Sequence, residues 1–181
     1  MQLETTPIQG LSIVLPRVFE DERGFFYESW NEAAFRAIGI DQRWAQDNHA
    51  RSCAGTLRGL HFQTGPGQAK LVRCTLGSVW DVAVDIRPGS PTFRQWFGVE
   101  LNDRNRKMLF IPAGFAHGYC VLSDIAETLY KCSSVYDAAL ESEFAWNDPE
   151  IGIAWPIASP LLSKRDTQAQ SFAQYFKKGS A

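Results

Sequence analysis

Residues 78–86 read Ser78-Val79-Trp80-Asp81-Val82-Ala83-Val84-Asp85-Ile86. In an extended chain Trp80, Val82, Val84 and Ile86 fall on one side and Val79, Asp81, Ala83 and Asp85 on the other, the two-residue period of a half-buried strand. Outward from this stretch, similar runs recur at residues 11–19, 25–30, 57–63, 69–76, 94–101, 107–111, 117–122 and 126–136. Gly77, the Arg-Pro-Gly-Ser-Pro turn at 87–91 and the Pro-Ala-Gly turn at 112–114 punctuate them. Eight or more short strands at this spacing predict an all-β fold, a sandwich or a jelly-roll barrel.

Helix is scarce. Asn31 is placed to cap Glu-Ala-Ala-Phe-Arg-Ala-Ile, with Gly39 as its stop. A second amphipathic stretch, after Asp166, carries Ala169, Phe172, Ala173 and Phe176 on one face. Both helices are expected at the periphery.

The chain has 181 residues, 45% hydrophobic and 21% charged, which excludes disordered, collagenous and coiled-coil classes. With no internal repeat, low-complexity tract or linker, one domain spanning 1–181 is expected. Eighteen Lys and Arg against 20 Asp and Glu leave a charge of −2, so there is no bulk attraction to nucleic acid or an anionic membrane. Any bound anion must be met by a local cluster of cations. The N-terminal Met-Gln-Leu-Glu-Thr-Thr-Pro shows no basic or apolar targeting region, and no run of 18 apolar residues occurs, so a cytoplasmic location without membrane contact is expected. Cys53, Cys74, Cys120 and Cys132 form no Cys-x-x-Cys pair, which signals neither a zinc knuckle nor a redox dithiol.

Two of the three histidines keep unusual company. His61 lies in Leu57-Arg58-Gly59-Leu60-His61-Phe62-Gln63, where an imidazole titrating near neutrality suits a general base, although a hydrogen-bonded structural histidine reads the same way. Strict alternation puts Arg58 and His61 on opposite faces; a bulge at Gly59 would bring them together. Arg23, Arg58, Lys70, Arg73 and Arg165 are embedded in strand-like pattern, where they are either surface ion-pair partners or ligands for phosphate and oxyanion charge. Glu28 and Glu141 read equally as surface carboxylates. Tyr130 and Tyr136 share strand parity, and each is either a core residue or a proton donor or stacking ring. Asp166 either caps the last helix or orients an imidazole.

The run Pro112-x-Gly114-x-x-His117 resembles the second motif of the cupin superfamily, whose metal-binding members carry His-x-His in the first motif. This chain has His61-Phe62-Gln63 there, and two imidazoles are a poor ligand set, so no metal is expected. The ordered set from about residue 10 to 166 resembles the dTDP-4-dehydrorhamnose 3,5-epimerase family: Asp21-x-Arg23-Gly24-x-Phe26-x-Glu28, Gln46-Asp47-Asn48, Arg58-Gly59-Leu60-His61-x-Gln63, Gln68-Ala69-Lys70-Leu71-Val72-Arg73, Asn147-Asp148-Pro149 and Leu162-Ser163-x-x-Asp166, with the strand and turn motifs above.

That resemblance implies a cupin-type jelly-roll barrel and inversion at C3 and C5 of dTDP-4-dehydro-6-deoxy-D-glucose without a cofactor. It implies His61 as base with Asp166 as its partner, Tyr130 as acid on the opposite face, and Lys70, Arg58 and His117 around the sugar. Arg23, Glu28, Gln46, Asn48, Glu141 and Arg165 match contacts to the nucleotide sugar, and Tyr136 matches an aromatic near thymine. It further implies a homodimer exchanging N-terminal strands, in which Arg23 and Glu28 serve the neighbouring site. A mono-epimerase, a non-catalytic nucleotide-sugar binder and a metal-dependent oxygenase are the alternatives.

Overall fold

The computed structural model describes residues 1–178. With strands numbered in chain order, one antiparallel sheet runs β1 (Gln2–Thr5), β2 (Ser12–Leu15), β10 (Met108–Ile111), β7 (Lys70–Leu76), β12 (Ile125–Cys132) and β5 (Gln46–Cys53). The second runs β13 (Glu141–Glu143), β6 (Leu57–Gln63), β11 (Phe115–Val121), β8 (Ser78–Asp85) and β9 (Trp96–Asn102). A separate hairpin pairs β3 (Val18–Asp21) with β4 (Gly24–Tyr27). The expected all-β jelly roll is what the chain forms.

The stretch at 78–86 is buried on both faces. Val79 and Ala83 face the space between the sheets, packing with Val72, Leu109, Phe115 and Tyr119. Asp81 and Asp85 share that side and are fully buried. The more apolar side, with Val82, Val84 and Ile86, points away from the first sheet into a separate cluster with Phe62, Phe144 and Phe172. Buried carboxylates in a low-dielectric interior require partners. Arg87, Ser90 and Thr92 of the following turn supply them to Asp85, with contacts of 2.7, 2.5 and 2.6 Å to its Oδ2.

Several boundaries differ from the sequence reading for local reasons. The run at 11–19 breaks at Pro16, whose missing N–H cannot continue a ladder, into β2 and β3. The run at 126–136 ends at Cys132. The unexpected strand β5 reads Gln-Asp-Asn-His-Ala-Arg-Ser-Cys, with polar residues on both sides. Gln46, Asn48 and Ser52 point inward because the mouth of this barrel is polar, so no apolar alternation marks the strand.

Helix α1 (Glu32–Ala37) is capped as expected, Asn31 Oδ1 accepting from the Ala34 N–H at 3.0 Å, and it lays Phe35 on Val14, Leu71 and Met108. The C-terminal stretch forms two short helices, α2 (Lys164–Thr167) and α3 (Phe172–Lys178). The last helix is less peripheral than its sequence suggests. Phe172 is fully buried against Phe144 and Phe93, a burial that contributes roughly 1.5–3 kcal/mol and covers the outer face of the second sheet. Among the described residues no helix is long and apolar enough to cross a membrane.

Candidate active site

The site grows from an irregularity between β6 and β11. His117 pairs with His61 and Tyr119 pairs with Arg58, so two steps on β11 match three on β6. The extra residue is a bulge at Gly59, where φ is +130°, and it turns Arg58 and His61 to the same side. Only glycine fits: a Cβ on Gly59 would lie 2.6 Å from Gly118 Cα. Arg58 Nε then donates to Ser52 Oγ at 3.0 Å, tying β6 to β5 across the mouth of the barrel.

Both imidazoles on this face are held by carboxylates. His61 Nε2 lies 2.6 Å from Asp166 Oδ1, and Asp166 also accepts from Ser163 Oγ at 2.6 Å and from the Gly59 N–H at 3.4 Å. Burial works against the Asp166 charge, but the hydrogen bonds from His61 and Ser163 outweigh it and hold the carboxyl below its ordinary range. A carboxylate only accepts, so His61 Nε2 is the donor of this bond, and in the neutral ring Nδ1 is the basic position. Asp166 is thus both a residue of a capped turn, with Ser163 as the cap, and an orienter of His61. His117 Nε2 meets both oxygens of Asp81, at 2.9 and 3.0 Å.

Tyr130 and Lys70 belong to the opposite sheet. Tyr130, on β12, packs on the inter-sheet core; burial pushes its phenol upward, and Arg58 across the barrel offsets part of that rise. Burial pushes the Lys70 ammonium down, while Cys132 beside it and the negative charges of Asp81 and Glu141 act the other way. Asp81, Glu141 and Arg58 all lie on the second sheet, so the first sheet presents a phenol and an amine to the imidazole side.

The rim carries a connected polar set. Gln46 Nε2 donates to Asn48 Oδ1 at 2.9 Å, and Gln46 Oε1 accepts from the Tyr136 N–H at 2.8 Å. The Tyr136 hydroxyl donates to Glu141 Oε2 at 2.5 Å, and Arg165 Nη1 reaches the same oxygen at 2.6 Å. Arg165 Nε and Nη2 hold Glu143, the Nε contact being 3.1 Å.

Eleven of the thirteen expected site residues are thus connected through these contacts and couplings: His61, Asp166, Tyr130, Lys70, Arg58, His117, Gln46, Asn48, Tyr136, Glu141 and Arg165. Arg23 and Glu28 do not join them. The Arg23 side chain is 85% exposed and, among the described residues, bonds only Asp21 of its own hairpin, and Glu28 is exposed just beyond β4. Arg73 faces away, into a groove on the outer side of the first sheet with Leu71, Leu129 and Lys131. Sequence reasoning gave no role to Asp81, Glu143 and Ser163. A charge inside an apolar run marked Asp81, and the Glu-x-Glu spacing put Glu143 on the face of Glu141. Among the described residues no three His, Cys, Asp or Glu converge as a metal-ligand group.

The chain matches the sequence profile of dTDP-4-dehydrorhamnose 3,5-epimerase over residues 5–174. It is 54% identical over 175 residues to the dTDP-4-dehydrorhamnose 3,5-epimerase of Pseudomonas aeruginosa, covering 96% of this chain and 97% of that one. The dTDP-6-deoxy-D-glucose-3,5-epimerase of Legionella pneumophila, crystallised in complex with dTDP-4-keto-L-rhamnose, superposes with a TM-score of 0.90 at 46% identity, covering 93% and 91% of the two chains. An epimerase of Mycobacterium tuberculosis superposes with a TM-score of 0.95 at 40% identity, covering 99% and 92%. A polar-mouthed jelly roll, a carboxylate-bound imidazole on one sheet with a partly buried phenol on the other, and near-complete coverage by these relatives lead to one assignment: the chain belongs to the dTDP-4-dehydrorhamnose 3,5-epimerase family.

Proposed function

We propose that residues 1–181 form one cupin-like domain that inverts C3 and C5 of dTDP-4-dehydro-6-deoxy-D-glucose, giving dTDP-4-dehydro-L-rhamnose. The observation that carries this reading is the opposition of His61, on β6, and Tyr130, on β12, across a shared interior. A C4 ketone acidifies the protons on C3 and C5. His61 Nδ1 takes one of them, and the Nε2–H bond to Asp166 stabilises the imidazolium that forms. The negative charge moves to the C4 oxygen, where Lys70 and donors such as Arg58 and the His117 face meet it. Tyr130 then returns a proton from the other side of the ring, and the carbon is inverted. Proton exchange with solvent strips the proton from His61 and restores the one on Tyr130, and the same pair then serves the second carbon. No step draws on a redox or metal cofactor.

The nucleotide end falls to the rim, where Tyr136 offers a ring to thymine, Gln46 and Asn48 offer amides, and Arg165 is a guanidinium for the diphosphate. Arg23 and Glu28 contribute to the partner's site in a homodimer with exchanged N-terminal strands. In support, the β3–β4 hairpin pairs with neither sheet and carries exposed Phe19, Phe25 and Phe26, the last 70% accessible. All four cysteines are free, as suits a cytoplasmic enzyme.

Incubation with the 4-keto sugar nucleotide in deuterated water tests the reading by counting labels on the product. Deuterium at both C3 and C5 is expected. Label at one carbon only makes the protein a mono-epimerase, and label at neither makes it a binder.

A further inference from the structure

An ion pair and a carboxylate–imidazole hydrogen bond stand side by side between α2 and the β6–β13 ladder. Arg165 and Asp166 are consecutive in α2; Glu143 and His61 are direct cross-strand partners. Asp166 takes His61 at 2.6 Å, and Arg165 takes Glu143 through both Nε and Nη2. In each rung a carboxylate meets a donor from the other element, and Asp166 cannot slide onto Glu143 without meeting like charge.

We infer that Glu143 is a positioning residue for the epimerisation: its pairing with Arg165 fixes the rotation and height of α2, and so the placement of Asp166 on His61. This rests on the reading of His61 as base given above. Helix α2 is only four residues long and so gains little stability from its own hydrogen bonds. Its neighbourhood is pinned upstream where the Leu57 N–H donates to Leu161 O at 3.0 Å, and downstream where the Ala145 N–H donates to Gln170 O at 2.8 Å. Between those points, Glu143 and Glu141 of β13 both hold α2 through Arg165, and Glu143 is the one directly across from His61. Glu141 holds the same guanidinium from the rim and is itself bonded by Tyr136, so Arg165 stays partly tethered when Glu143 is removed. The Glu143 side chain is 27% exposed, so replacing it leaves the core packing intact.

The test compares wild type, Glu143→Gln and Glu143→Ala with the 4-keto sugar nucleotide in deuterated water, alongside the proton NMR signal of the His61–Asp166 hydrogen bond. Expected is a fall in kcat for exchange at both carbons of roughly 10- to 100-fold, the scale of a misplaced catalytic group, with KM within about twofold of wild type. The His61 ring proton should shift or broaden in both variants, while that of His117 stays in place. Unchanged kcat and an unchanged His61 signal overturn the inference, as does a rise in KM alone, which would make Glu143 a substrate contact. Absence of exchange in the wild type would instead remove the assignment of His61, a failure separable from this one.

Discussion

His61 and His117 stand opposite one another on neighbouring strands, yet each gives its Nε2 to a different carboxylate, Asp166 for the first and Asp81 for the second. The His61 side chain is 28% exposed and the His117 side chain 8%. The more open imidazole is therefore the one with room to exchange a proton with a substrate, and the closed one is better suited to a fixed donor or support.

His61→Asn should lower deuterium exchange at both C3 and C5 by roughly 10²- to 10⁴-fold, with thermal unfolding close to wild type because the side chain is not core. Exchange at near wild-type rates in the variant, measured by mass spectrometry of the sugar, would give the base role to another residue.

The bulge that delivers His61 depends on two glycines in contact. A Cβ on Gly118 would lie 2.8 Å from Arg58 O, and one on Gly59 would meet Gly118 Cα. Gly118→Ala should push β6 from β11, costing about 1–3 kcal/mol of stability and reducing exchange more than the stability loss explains. Full activity in a well-folded Gly118→Ala variant would mean that the close approach of these strands does not set the position of His61.

Asp85 gives a pH signature independent of catalysis. Burial opposes its charge, but hydrogen bonds from Arg87, Ser90 and Thr92 bring its pKa down to about 2, from 3.8. A folded-state value below the unfolded one means stability that is fully present above pH 4 and lost as pH falls through about 2. The contribution at neutrality is about 2 kcal/mol. Asp85→Asn should lower Tm by roughly 4–8 °C at pH 7 and flatten the loss of stability between pH 4 and 2. An unchanged acid-unfolding curve would remove Asp85 as its source.

The exchanged-strand dimer predicts complementation. Arg23→Ala chains mixed with His61→Asn chains form heterodimers in which one site has both native residues, or roughly a quarter of all sites after random assortment. Activity should return as subunits exchange, at a substrate level where neither parent turns over. No recovery despite mass-spectrometric proof of mixed dimers would return Arg23 to its own chain's site.

The sequence made the apolar strands legible, since alternation in β8 and glycine and proline at the turns are local signals. It hid β5 because a polar barrel mouth removes the inward apolar face, and the strand then looks like loop. It also left Arg58 and His61 on opposing faces under strict alternation, because a bulge depends on the neighbouring strand's Gly118 as much as on Gly59. The reach of Asp166 back to His61 across 105 positions, and the tie between Glu143 and Arg165, are products of topology that no local pattern contains. The roles proposed for Arg23 and Glu28 rest on family motifs, since the folded chain leaves them in an exposed hairpin and just beyond it.

The central claim is that proton removal and proton return occur on opposite sheets, at His61 and Tyr130. Tyr130→Phe, assayed with the 4-keto sugar nucleotide in deuterated water, separates the two events: label incorporation and product stereochemistry are read from the same sample by mass spectrometry and NMR. The account predicts that deuterium still enters at C3, because His61 and Asp166 are untouched, while the yield of inverted sugar falls by roughly 10²-fold or more. Inversion at the wild-type yield in this variant would contradict it.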